Sequence, residues 1–269
     1  MKPCGGGIPP SRGLNRCGRS AIIGTMKTLI AISVAVLSLA ASAANLVLVG
    51  DSTLAPRDEK TVKGSWGAAL KPYLAEDNDI VNRAIGGRTV RTTKPDWQKS
   101  LAKISAGDFV IIQFGINDAS KNKLVEEEEF KKTIAEFADD VIAKGATPII
   151  CSPVSNAGYY KTTKPGTPFK LTPSRRQYGD YAKAVAAEKK LAYVDMTALT
   201  SAELAKLGKD GALALFAGEQ TDKEGKTSFD TTHPSKAGAK RFAELFLAEV
   251  RARKLPVAKL FKPEEPKKK

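Results

Sequence analysis

Leu46-Val47-Leu48-Val49-Gly50-Asp51-Ser52-Thr53 runs four apolar residues directly into a glycine, an acid and two hydroxyl side chains. A short apolar run closed by a turn signal reads as a buried strand. Ser52 then lies at the carboxyl end of that strand, where a strand-to-helix turn can expose its hydroxyl. The same pattern recurs, with strands expected at Ile80 to Val81, Phe109 to Phe114, Thr147 to Cys151 and Ala192 to Val194. Between them, Phe130, Ile134, Phe137, Val141 and Ile142 follow helical spacing, as do Tyr178, Tyr181, Ala182, Val185 and Ala186. Strands alternating with amphipathic helices predict an α/β fold, a three-layer α/β/α sandwich on a five-stranded parallel sheet. In such sheets the loops at the carboxyl ends of the strands form the binding crevice.

Three segments place polar chemistry at that edge or lead to it. The third strand runs into Gln113-Phe114-Gly115-Ile116-Asn117-Asp118, where the Asn117 amide can donate to an oxyanion. The second runs into Asn82-Arg83-Ala84-Ile85-Gly86-Gly87-Arg88, whose paired glycines allow backbone N–H groups to approach a ligand closely. His233, the sole histidine of the chain, follows Asp230 by three residues, a spacing that a turn can close to hydrogen-bond range. Taken singly, each has an ordinary reading: Ser52 in a turn, the glycines in a tight bend, Asp230 near a helix cap, His233 at the surface. A last helix is expected after His233, with Pro234 in its first turn and Ala239, Phe242, Leu245 and Phe246 as its apolar stripe. Ser155 to Thr172 reads as a long loop, and Gly208 to Ser228 as an irregular excursion.

The 269 residues, 42% hydrophobic and 27% charged, suit one core and one domain. Met26-Lys27, the apolar stretch from Thr28 and the small-x-small end Ala41-Ser42-Ala43 form a secretory signal, cut after Ala43. Residues 1–43 are therefore read as leader and signal peptide, with Met26 as the true start. Residues 44–255 form the domain, and 256–269 a basic C-terminal tail, frayed from Lys262 onward. Cys4 and Cys17 fall in the leader, so Cys151 has no partner for a disulfide in the mature chain. Removing residues 1–43 takes away Lys2, Arg12, Arg16, Arg19 and Lys27 and no acid, lowering the net charge from +14 to +9. The lysines are dispersed, without the aromatic-basic interleaving of RNA binders, so no nucleic-acid partner is expected. One histidine and one mature cysteine give no metal site, and neither a dinucleotide fingerprint nor a Walker loop follows the first strand. No cofactor is expected.

The four segments Gly-Asp-Ser-Thr at 50–53, Gly-Gly-Arg at 86–88, Gly-Ile-Asn-Asp at 115–118 and Asp-Thr-Thr-His at 230–233 resemble, in this order, the four blocks of the SGNH (GDSL-type) hydrolases. The Gly-x-Ser-x-Gly elbow of the common α/β-hydrolases is absent. The surroundings of Gly50 to Ala55, Asn82 to Arg91 and Gln113 to Asp118, with Trp66-Gly67, most resemble the rhamnogalacturonan acetylesterases, carbohydrate esterase family 12. The resemblance implies the flavodoxin-like SGNH fold, with Ser52 as nucleophile, His233 as general base and Asp230 orienting it. The Ser52 and Gly87 backbone N–H groups and the Asn117 amide would form the oxyanion hole. Where these acetylesterases often carry histidine after the block's glycine, this chain has Ile116, so any contact made by that histidine is lost.

The substrate implied is an O-acetyl group on pectic rhamnogalacturonan, and a basic enzyme is drawn to such a polyanion. Arg88 and Arg91 are candidates for its uronate carboxylates. The alternatives are an esterase on another acetylated sugar such as xylan or on a short-chain ester, and a non-catalytic carbohydrate-binding protein. A monomer, secreted or periplasmic and not inserted in a membrane after signal cleavage, is expected.

Overall fold

The computed structural model describes residues 43–221 and 224–264; the expected leader lies outside the described residues apart from Ala43, as does the tail from 265. The sheet consists of β1 (Leu46–Gly50), β2 (Ile80–Asn82), β3 (Phe109–Gln113), β4 (Thr147–Cys151) and β5 (Ala192–Val194). All neighbours are parallel, in the order β2-β1-β3-β4-β5. This is the flavodoxin-like order, whose connections change direction between β1 and β3. The helices are α1 (Val90–Thr93), α2 (Trp97–Leu101), α3 (Glu127–Ala143), α4 (Pro173–Glu188), α5 (Met196–Ala214) and α6 (Lys236–Ala252). An antiparallel ribbon of β6 (Phe216–Thr221) and β7 (Thr227–Pro234) precedes α6.

Alternate strand residues feed two separate cores, because successive side chains point to opposite faces. Leu46, Leu48 and Ile111 pack with Trp66, Phe242 and Phe246 on one face, and Val47, Val49, Val110 and Ile112 with Phe130, Phe137 and Tyr178 on the other. Burial on both faces is why these strands read as unbroken apolar runs rather than as alternation. Among the described residues no helix is long and apolar enough to cross a membrane.

The structure departs from the sequence reading in several places. Ile142 is exposed, because it sits about 100° round α3 from Val141 and off the stripe of Phe130, Ile134 and Phe137. Pro234 ends β7 and does not begin the helix; Ser235 caps α6, its hydroxyl accepting from the Gly238 N–H at 3.1 Å. The excursion expected at Gly208 to Ser228 holds the end of α5 and most of the ribbon. Gly208, at φ 66°, breaks helical geometry within α5. The ribbon has no fully buried face before Pro234, so its strands lack the alternation that marks one. The core also extends past the boundary expected at 255. Val257, Leu260 and Phe261 are buried, and Phe261 bridges Leu74, because a short 3-10 turn over Pro256–Leu260 folds them back onto the sheet's first face.

Candidate active site

Gly50 ends β1 against β3, and a Cβ there would stand 2.4 Å from the Gln113 carbonyl oxygen, so only glycine allows the strands to close at this point. The next three residues turn within the protein, held by a buried polar chain. The Trp66 indole Nε1 donates to Gln113 Oε1 at 3.0 Å, Gln113 Nε2 donates to Thr53 Oγ1 at 2.8 Å, and Thr53 Oγ1 donates to Asp51 Oδ1 at 2.9 Å. Asp51 Oδ1 also accepts from the Thr53 N–H. Burial raises the Asp51 pKa, opposed by the two Thr53 hydrogen bonds and the charge of buried Arg175. Arg57 Nη2 donates to the Ser52 carbonyl at 2.5 Å. The Ser52 side chain is thereby presented from a turn that is itself almost wholly buried.

His233 meets it from β7. Ser52 Oγ lies 3.0 Å from His233 Nε2, and His233 Nδ1 lies 2.7 Å from Asp230 Oδ2. The other carboxylate oxygen, Asp230 Oδ1, accepts the Thr232 and His233 N–H groups at 3.0 Å each. Burial alone would raise the Asp230 pKa. The His233 side-chain and backbone hydrogen bonds, the Lys63 ammonium and the charge of His233 outweigh it and hold the carboxyl well below its ordinary value. A carboxylate fixed on Nδ1 leaves Nε2 to accept a proton from a hydroxyl, the arrangement that activates a serine.

Across from the imidazole, a Cβ on Gly86 would lie 3.7 Å from the Ser52 Cβ, so the glycine pair passes directly beside the hydroxyl-bearing residue. Gly87 has φ +77°, which favours glycine. Among the described residues no acceptor engages the backbone N–H of Ser52 or of Gly87. Asn117 Nδ2 donates to the Arg88 carbonyl at 2.9 Å, which fixes the amide against the glycine loop and leaves its second N–H. Asp118 clamps both flanking segments, accepting from the Val90 N–H at 2.9 Å and the Gly115 N–H at 2.9 Å. Burial pushes its carboxyl up to about 6 against the pull of these N–H groups. Gly86 thus lies beside Ser52, and Asn117 is tied to the residue after Gly87, so the glycine loop and the amide border the Ser52 turn at the β1/β3 switch point.

A protein-family model for the GDSL-like lipase/acylhydrolase family matches residues 48–241. The chain belongs to this family. It is a carboxylic ester hydrolase of α/β fold. Over 222 residues it is 30% identical to a Bacillus subtilis protein described as "probable rhamnogalacturonan acetylesterase YesY", covering 79% of this chain and 95% of that one. It is 27% identical to the acetylxylan esterase of Geobacillus stearothermophilus over 78% of this chain and 94% of the relative. Among solved structures, the Bacillus subtilis protein YxiM superposes with a TM-score of 0.65 at 26% identity, over 79% of this chain and 58% of that chain.

The hydrolase brings together Ser52, His233, Asp230, Gly87 and Asn117, all five legible in its sequence. Arg88 and Arg91 are occupied within the protein. Arg88 Nη2 pairs with Asp96 at 2.7 Å and Nη1 with the Thr92 carbonyl; Arg91 Nε donates to Glu129 Oε1 at 2.8 Å and Nη1 to the Leu124 carbonyl at 3.1 Å. Both guanidiniums brace the loops around α1. Ile116 packs against the core that contains Trp66. Sequence reading did not assign the supports: Gln113 and Trp66 in the polar chain, Arg57 on the Ser52 carbonyl, Lys63 on Asp230 and Asp118 as a clamp. A glutamine ending an otherwise apolar strand was the one visible signal among them. Lys63 on Asp230 and the Asp118 contact with Val90 depend on partners remote in sequence.

Proposed function

We propose that this esterase removes O-acetyl groups from an acidic pectic polysaccharide of rhamnogalacturonan type, after export directed by residues 26–43. The observation that carries the chemistry is the hydrogen-bonded chain Ser52–His233–Asp230 beside the unengaged N–H groups of Ser52 and Gly87. Ser52 Oγ attacks the acetyl carbonyl as its proton passes to His233 Nε2. The Ser52 and Gly87 N–H groups and the Asn117 amide receive the oxyanion. Collapse breaks the ester C–O bond, and His233 returns the proton to the departing sugar oxygen. Water then attacks the acetyl-enzyme, its proton passes through His233 to Ser52, and acetate leaves. Asp230 keeps the imidazole oriented and stabilises its charged form.

Two observations support an acidic polymer. The rhamnogalacturonan acetylesterase relatives are one. The other is the loop from 152 to 172, which carries Lys161, Lys164 and Lys170 and no acid. This segment borders the proposed triad, since the Ala157 N–H donates to the Thr231 carbonyl at 3.0 Å. Similarity to an acetylxylan esterase favours a neutral polymer as the second reading.

Acetate release from acetylated rhamnogalacturonan and acetylxylan, by protein beginning at Ala44, separates the two. Turnover on xylan alone would remove the pectic assignment. Ser52→Ala is expected to lower kcat/KM by about 10⁴-fold or more with the melting temperature unchanged; near-normal turnover would remove Ser52 from its role.

A further inference from the structure

Asp230 Oδ2 has two side-chain nitrogen partners. Lys63 Nζ lies 2.8 Å from it, opposite His233 Nδ1 at 2.7 Å. The Lys63 side chain is 26% exposed and the Asp230 side chain 13%, so this pair is more enclosed than an ordinary surface ion pair. Its backbone is also tied to the histidine segment. Lys63 forms an isolated antiparallel bridge with Ser235, the Gly64 N–H donates to the Pro234 carbonyl at 2.8 Å, and the Lys236 N–H donates to the Val62 carbonyl at 3.1 Å. The segment 62–64 is thus stitched to 234–236, immediately after His233, and this places the ammonium on the carboxylate.

We propose that Lys63 is a positioning residue of this hydrolase, whose charge on Asp230 sets how far into acid the His233 imidazole remains available as a base. The proposal rests on the reading of Ser52, His233 and Asp230 as the catalytic chain. A carboxylate on Nδ1 stabilises the imidazolium, and an imidazolium cannot accept the serine proton. A second cation on the same oxygen offsets part of that attraction while leaving Asp230 ionised and oriented. Loss of the ammonium therefore moves protonation of the base to higher pH. The remaining charges around the imidazole are unchanged by such a substitution. Asp51, just after β1, acts on the ring, Arg57 acts on both Asp51 and Asp230, Arg175 acts on Asp51, and Lys123 Nζ donates to the Gly87 carbonyl.

His233 is the only histidine of the chain, so its ring resonances report on this site without assignment. Lys63→Met removes both charge and hydrogen bond, Lys63→Gln removes the charge while keeping a donor, and Lys63→Arg restores both. In folded Met and Gln variants, the NMR titration midpoint of the ring is expected to rise by about 0.5 to 1 pH unit, the effect of deleting one like charge near a partly exposed group. The acid limb of kcat/KM on a soluble acetate ester should move by the same amount, and Arg should return both to the wild-type position. A purely structural role would lower kcat without displacing either curve. An unmoved midpoint in a Met or Gln variant that melts like the wild type would overturn the proposal. The catalytic reading itself fails separately, if Ser52→Ala still turns over the ester.

Discussion

Ser52 and His233 meet at 3.0 Å, yet the turn that carries Ser52 is sealed in the interior, while the strand that carries His233 belongs to a two-stranded ribbon beside it. Asp51 and Thr53 are wholly buried and Ser52 is 6% exposed, whereas the His233 and Asp230 side chains are 25% and 13% exposed. The first turn is held by side chains of the core, through Trp66, Gln113 and Thr53. The second is held by its own backbone, by Lys63 and by the bridge to residues 62–64. The position of Ser52 thus follows from packing the sheet, whereas that of His233 depends on a set of polar contacts around the ribbon. Damage to the two sides should differ in kind: stability on one, chemistry on the other.

Asp230→Asn is expected to have the largest effect on the exposed side, a fall of about 10³- to 10⁴-fold in kcat, because the amide holds the imidazole in the wrong tautomer. Circular dichroism and the melting temperature should stay close to the wild type. A variant that loses its fold would break the comparison. On the buried side, Gln113→Leu strands the Trp66 indole N–H and leaves Thr53 Oγ1 without its donor. A loss of about 2 to 4 kcal/mol in urea unfolding is expected, with a smaller fall in kcat. If activity disappears while stability is unchanged, the polar chain serves catalysis more than packing.

The smallest effect is the pH dependence of stability. The Asp230 carboxyl is held below its unfolded value, so its contribution is present above about pH 4 and is lost as pH falls through its folded value. Asp118, pushed up to about 6, works in the opposite sense: its contribution is full below its unfolded value and is lost as pH rises through about 6. Urea unfolding should therefore show a gain in stability as pH falls from about 6 to about 4, then a loss towards pH 2. Asp230→Asn should flatten the acid limb and leave the gain intact.

The five strands and the helices α3, α4 and α6 were legible because each rests on a local pattern, and Ser52, Asp230, His233, Gly87 and Asn117 were picked out by the resemblance of short blocks. A strand buried on both faces is apolar throughout, and its carboxyl end is marked by the change to glycine and polar residues. The β6/β7 ribbon was not legible: with no buried face it has no period, and its order comes from pairing across a turn. The folded-back segment Val257 to Phe261 was also missed. Its apolar residues sit among lysines and prolines, and only contact with Leu74 and the first core shows that they belong inside. Arg88 and Arg91 show the converse. Their position beside the glycine loop suggested a ligand; in the structure they pair with Asp96 and Glu129, partners that only the folded chain reveals.

Local sequence pattern was enough for the class of fold and the chemical inventory: a parallel sheet, a serine at the end of its first strand, one histidine and the acid three residues before it. The fold class follows from hydrophobic period, and the roles of Ser52, His233 and Asp230 were implied by the resemblance of four short blocks to a known family; neither needs a spatial neighbour to be read. Tertiary structure alone decided which groups hold that inventory in place and what charge surrounds it. Lys63 is 167 residues from Asp230 and Trp66 is 47 from Gln113. Such contacts arise only when the packed sheet brings distant segments together, and the electrostatics of the base depends on them.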